Sequence, residues 1–150
     1  MSIVQGYQFL PMIGDPDDHR PQTEWATVVD PGGPEGEVRT LAVLLERIGP
    51  GDSIPLHRHP IDEVIFVDGE GAHVRLGAER RTVPAGSVVF VPAGAAHGTS
   101  NRSGSPLPIR AVFPSTRVGI EYLERNAAPG TEGDDPQPPT TIDLLTGEVS

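Results

Sequence analysis

The chain has no cysteine among its 150 residues. A disulfide framework, a zinc–thiolate site and a cysteine nucleophile are therefore all excluded, and any metal site must be built from nitrogen and oxygen donors. Lysine is also missing: all eleven positive charges are arginines, set against 21 acidic residues for a formal charge of −10. Phosphate backbones are bound by clustered cations that release counterions, and no such cluster exists here, so nucleic acid is not an expected partner. No apolar stretch approaches the length of a membrane-spanning helix, so no membrane partner is expected. The opening "MSIVQGYQFLPMIGDPDD" lacks a basic region followed by an apolar core, so it does not read as a signal peptide, and a cytoplasmic protein is expected.

What is abundant is turn chemistry. Gly 18 and Pro 17 approach a quarter of the chain, a balance that suits many short strands better than a helical bundle. Residues 1–37 alternate short apolar pieces with turn-formers and predict one or two strands packing on the main body. From Val38 the texture becomes strand, turn, strand: "VRTLAVLLERI", "SIPLHRH", "EVIFV", "AHVRL", "RTVPAG", "SVVFVP" and "PIRAVF". That spacing over residues 38–125 predicts an all-β domain, a small antiparallel barrel or sandwich. "VGIEYLER" is readable as a short helix or a further strand. Residues 126–150 are rich in proline, glycine and acid; this composition reads as a disordered tail, although "TTIDLL" within it has the means to dock.

Three of the residue types that hold metals crowd into "HRHPIDE". In an extended strand, residues two apart share a face, so His57 and His59 project side by side, and Glu63 follows after a short turn. Alone, His-x-His is weak evidence. A second segment, "GSVVFVPAGAAHGTSN", adds His97 behind a bend shaped by Pro92 and Gly94. The first segment reads G-x5-H-x-H-x3-E-x5-G through Gly51, His57, His59, Glu63 and Gly69. The second reads G-x5-P-x-G-x2-H-x3-N through Gly86, Pro92, Gly94, His97 and Asn101.

These residues resemble the two motifs of the cupin superfamily (cupin 2 type, RmlC-like jelly rolls). The second motif is complete, whereas the first closes its glycine one residue early. The resemblance implies a small β-barrel, or double-stranded jelly roll, with a single metal held by His57, His59, Glu63 and His97. That donor set suits iron, with manganese, nickel, zinc or copper as alternatives, and leaves open coordination positions. Metal-dependent chemistry on a small organic molecule is the expectation. Iron(II)-type dioxygenase chemistry is favoured because no second acid or base is evident near the site. An isomerase, cyclase or decarboxylase, or a non-catalytic small-molecule-binding cupin, is the alternative. Within a strand of alternating faces, Ile65 and Val67 should line the same wall as Glu63. Polar groups considered for substrate contact are Arg110 above all, with Glu46 and Arg47. His73 and His19 read as incidental. Tyr7, Phe9 and Trp25 read as core packing or as apolar surface for a homodimer.

Overall fold

The computed structural model describes all 150 residues as twelve strands with no helix. In chain order these are β1 (Leu10–Met12), β2 (Arg20–Val29), β3 (Ala42–Ile48), β4 (His57–Arg58), β5 (Glu63–Val67) and β6 (Ala72–Leu76). They continue as β7 (Glu79–Val83), β8 (Ser87–Val91), β9 (His97–Asn101), β10 (Leu107–Phe113), β11 (Arg117–Tyr122) and β12 (Thr140–Asp143). Every ladder is antiparallel. One six-stranded sheet runs β1-β2-β3-β10-β5-β8 and the other runs β12-β11-β4-β9-β6-β7.

The all-β jelly roll is as expected, but the two sheets are not closed into a barrel. No ladder joins them, so they face each other as a sandwich with edge strands at both ends. The alternation along each strand explains the pairing of layers. In β10, Leu107, Ile109, Ala111 and Phe113 are buried while Pro108 and Arg110 are exposed. In β5, Glu63, Ile65 and Val67 face inward together. The main core joins Ile65, Val67, Val89, Val91 and Ile109 from the first sheet to Ala72 and Val74 from the second. A smaller group, Ala111, Phe113 and Val118, packs at the other end. His59 packs against Phe113 of this second group, with ring centroids 5.2 Å apart.

The chain ends are integral to both layers. β2 pairs with β3 from Glu24 to Val29, so the N-terminal region extends the first sheet instead of merely covering it. "VGIEYLER" is strand β11, and the tail returns to pair with it as Val118↔Ile142 and Ile120↔Thr140. The tail's turn-rich linker has no ladder of its own, yet its short segment "TTID" finds an open edge to complete. No helix is long and apolar enough to cross a membrane.

Candidate metal centre

His57 and His97 come from strands of the second sheet, His59 from the position just after β4, and the carboxylate from the first sheet. His57 on β4 lies directly opposite His97 on β9 in the ladder, with ring centroids 4.2 Å apart. His59 follows two residues after His57 and presents its ring to the same interior, against Phe113 at 5.2 Å. Residues 60–62 then carry the chain across to the other sheet, where Glu63 opens β5. The short turn between His59 and Glu63 thus crosses between layers and does not join two neighbouring strands of one sheet. β4 and β5 belong to opposite layers, so the site bridges the sandwich.

Each imidazole is aimed by a backbone carbonyl. His57 Nδ1 donates to the Pro55 carbonyl at 2.8 Å, His59 Nδ1 to the Gly119 carbonyl at 2.6 Å, and His97 Nδ1 to the Ala95 carbonyl at 3.0 Å. A carbonyl oxygen only accepts, so Nδ1 carries the proton in all three rings and the Nε2 lone pair is the free end. Those free ends converge. His57 Nε2 and His59 Nε2 lie 3.1 Å apart, His97 Nε2 lies 2.7 Å from Glu63 Oε2, and His59 Nε2 lies 3.7 Å from the same oxygen. All four donor atoms fall within 4.8 Å of one another.

These contacts do not satisfy each other. Two neutral imidazoles that have both spent their protons elsewhere meet lone pair to lone pair at 3.1 Å, which is no hydrogen bond. Glu63 Oε2 and His97 Nε2 are likewise buried without a hydrogen-bond partner. Such orphaned groups cost about 1–3 kcal/mol each unless something answers them. A divalent cation among the four answers all of them at once, because adjacent donors about 2.1 Å from one ion sit about 3 Å apart. Burial pushes the His57 imidazole well below its usual range, helped by the facing His97 and His59; burial lowers His59 too, although Glu63 and the Gly119 carbonyl oppose the shift. Neutral imidazole is the form that binds metal.

The surrounding residues hold this geometry. Gly94, at φ 79°, takes a left-handed turn that brings its N–H to the His59 carbonyl at 2.7 Å, tying one motif to the other. Asp62 Oδ1 accepts from the Ala93 N–H at 2.8 Å and fastens the same junction. Gly119 must lack a side chain, since a Cβ there would stand 2.9 Å from Pro60 Cγ. Asn101 is not a donor to the centre: its amide and carbonyl oxygen stitch Ile48, Ser103 and Ser105 together.

Of the substrate contacts considered from the sequence, Arg110 is on the outer face. It pairs with Asp68 at 2.6 and 2.8 Å and lies over Phe66, so it does not reach the donors. The alternation of β10 gives the inward positions to Ile109 and Ala111 instead. Arg47 is also outside, stacked on Phe9 and near Glu24. Tyr7 is 47% exposed and so does not pack in the core. His73 makes only a long contact to Thr82. Glu46, by contrast, is buried inside and bonded to Arg20, and Tyr122 packs beside His57 at 6.2 Å between ring centroids. Arg20 and Tyr122 carried no local sequence signal; the pairing Tyr122↔His57 is a product of the ladder.

The profile described as "Cupin domain" matches residues 44–113. No curated protein sequence matches this chain significantly. Among solved structures, the polyketide cyclase RemF from Streptomyces resistomycificus aligns over 98% of both chains with a TM-score of 0.68 and 18% identity. Oxalate decarboxylase from Bacillus subtilis aligns over 75% of this chain with a TM-score of 0.58 and 21% identity. This chain spans only 30% of that enzyme's length. At these identities the likeness is one of fold. The double sheet, the two motifs and the profile match together identify residues 44–113 of this chain as a cupin domain.

Proposed function

We propose that this protein is a metal-dependent enzyme acting on a small organic molecule, with one divalent transition metal held by His57, His59, Glu63 and His97. The observation that carries this reading is the convergence of three carbonyl-fixed Nε2 atoms on an orphaned carboxylate oxygen. Three neutral imidazoles and one carboxylate leave a net single positive charge on a bound divalent ion and suit iron, manganese, zinc or nickel. Manganese gains support from the fold relative, since the Bacillus subtilis oxalate decarboxylase contains Mn(II) centres. When bound, such a metal supplies Lewis acidity to a substrate oxygen in an open coordination position.

The chain's own contribution is a dry, oriented interior. Phe113 packs against His59, while Ile65 and Val67 continue the wall beyond Glu63, which excludes water and favours an apolar substrate body. The sequence, which shows no second acid or base near the donors, favours dioxygenase chemistry. The interior holds such groups: Tyr122 stands beside His57, and Asp18, Arg20 and Glu46 form a buried ionic cluster nearby. Their presence favours reactions that move protons on a metal-polarised substrate, of the isomerase, cyclase or decarboxylase type. The end-to-end likeness to a polyketide cyclase supports the cyclase form of this reading.

The test begins with protein purified without a histidine tag and stripped with chelator. Manganese, iron(II), zinc or nickel should raise its melting temperature, and H97A should lose most of that gain. The loaded protein is then incubated with enolisable carbonyl compounds in heavy water. Solvent deuterium entering the substrate supports proton-transfer chemistry. Oxygen consumption without deuterium entry returns the reading to a dioxygenase, and binding without turnover makes the protein a binding module.

A further inference from the structure

Beside the four donors lies a second buried cluster that they do not use. Arg20 enters the sandwich from the start of β2 with its side chain 1% exposed, and donates to Glu46 on β3 at 2.6 Å and to Asp18 at 2.9 Å. The side chains of Asp18 and Glu46 are 4% and 7% exposed. Two buried carboxylates thus share one guanidinium. An unbalanced charge in a low-dielectric interior is costly, and the least costly remedy is a proton on one carboxyl.

The cluster touches two different environments. On its outer side is an open, polar cavity of about 200 Å³ lined by His19, Arg20, Gly51, Asp52, Ser53, Asn126 and Ala127. Two buried nitrogens at this boundary lack hydrogen-bond partners, His19 Nδ1 and Arg20 Nε; the latter lies 2.8 Å from Asp18 Oδ1, but its N–H is not directed there. A cavity of that size admits several waters, each taking about 30 Å³. On its inner side, Tyr122 donates to Asp15 at 3.1 Å, feels the charges of Asp18, Asp15 and Arg20, and packs on His57. Arg20 in turn acts electrostatically on His57.

We propose that Asp18, Arg20 and Glu46 form a proton relay between the open cavity and the interior beside His57, with Asp18 the residue that exchanges the proton. This deepens the proton-transfer reading above and rests on it. In the forward step the Asp18 O–H bond breaks and an O–H or C–H bond forms on the substrate. Water in the open cavity then restores the Asp18 proton, the hydroxide left behind passing out to solvent, and no electrons change hands. Burial pushes the Asp18 carboxyl up to about 7, with Glu46 and Asp15 adding to the rise and Arg20 opposing it. The charged and titratable groups facing Asp18 are therefore Asp15, Arg20, Glu46 and, across the interior, Tyr122.

The test uses full-length protein with ¹³C-labelled aspartate carboxyls, titrated by NMR with and without zinc. One aspartate resonance should titrate near neutrality and be missing from D18N. In E46Q, Arg20 serves Asp18 alone, and the same resonance should titrate at least tenfold lower in proton affinity. E46Q carries the test if D18N does not fold. D18N should bind zinc as the unaltered protein does, which separates this proposal from the metal assignment. In the heavy-water assay, D18N should slow deuterium entry at least tenfold and remove its dependence on pH near neutrality. An Asp18 that titrates below pH 5, an E46Q variant that leaves it unmoved, or a D18N variant with unchanged exchange overturns the relay.

Discussion

His97 and Glu63 are 2.7 Å apart but do different work, and substitution should separate them. His97→Ala removes the only donor from the second motif and leaves three on hand. We expect partial metal occupancy by elemental analysis, with activity falling much further than occupancy. Glu63→Ala removes the one negative donor and leaves a three-histidine centre of higher charge, which raises Lewis acidity and, with iron, makes the reduced state harder to oxidise. A parallel loss of metal and activity in both variants would show that these residues serve retention only. Gly119→Ala tests the support behind His59. Its Cβ would press on Pro60 at 2.9 Å, so overpacking should cost about 1–3 kcal/mol, and tilting of the His59 ring should weaken metal binding about 10–100-fold. By contrast, Arg110→Ala breaks an outer-face pair with Asp68 and should cost at most about 1 kcal/mol, with metal affinity unchanged by titration calorimetry.

The same residues set a pH dependence with a definite sign. His57 and His59 titrate below the usual 6.5 in the folded chain, so below that value the unfolded chain binds more protons and stability is lost as pH falls. Asp18 acts in the opposite sense. Its folded value near 7 exceeds the unfolded 3.8, so its contribution is complete below 3.8 and is lost as pH rises through 7. Metal-free protein and D18N, melted side by side from pH 4 to 8, should therefore diverge: the difference between them should shrink to nothing toward pH 4 and grow to its full size above 7. Because the imidazoles resist protonation, bound metal should persist at pH 6 on dialysis.

At the scale of elements, β4 is only two residues long, yet it aligns His57 with His97 and Arg58 with Glu121. Its position depends on its neighbours more than on its own ladder. β11 flanks it and supplies both Tyr122 and the Gly119 carbonyl. β11 in turn is covered on its other edge by β12 from the tail. Thr141→Pro removes the N–H that bonds the Ser150 carbonyl and forces a proline into that edge strand. We expect a lower melting temperature together with weaker metal retention, because loosening β12 loosens β11 and so the carbonyl that aims His59. A variant that melts earlier but holds metal as before would show that β11 stands without this edge.

For the whole molecule, the two apolar faces have unequal cover. The outer face of the first sheet leaves Phe90 73% and Val88 44% exposed on the edge strand β8, with Leu10 47% exposed on β1 at the opposite edge. Single exposed apolar residues are ordinary, but an edge strand with two invites pairing. We expect a homodimer by light scattering at micromolar concentration, and a shift to monomer in Phe90→Arg. The net charge of −10 should leave nucleic acid unbound at physiological salt.

The metal donors were legible in the sequence because the information is local. The spacing of His57, His59, Glu63 and His97, with Pro92 and Gly94 shaping the bend, fixes the donor set and the strand class within short segments. Turn residues and alternating apolar positions act over a few residues, so they survive without knowledge of partners. Whether two sheets close or stay open, and which layer Glu63 belongs to, depended on long-range pairing that no local pattern encodes. The same holds for Asp18 and Arg20, which sit in a stretch that reads as a polar loop. They are buried only because β2, β3 and the segment at Asn126 meet over them. Arg110 is the converse: its identity suggested an anchor, and the alternation of β10 against β3 and β5 turned it outward. Side-chain chemistry could be read from the chain alone, but which side chains share an interior was decided only when two distant strands chose a register.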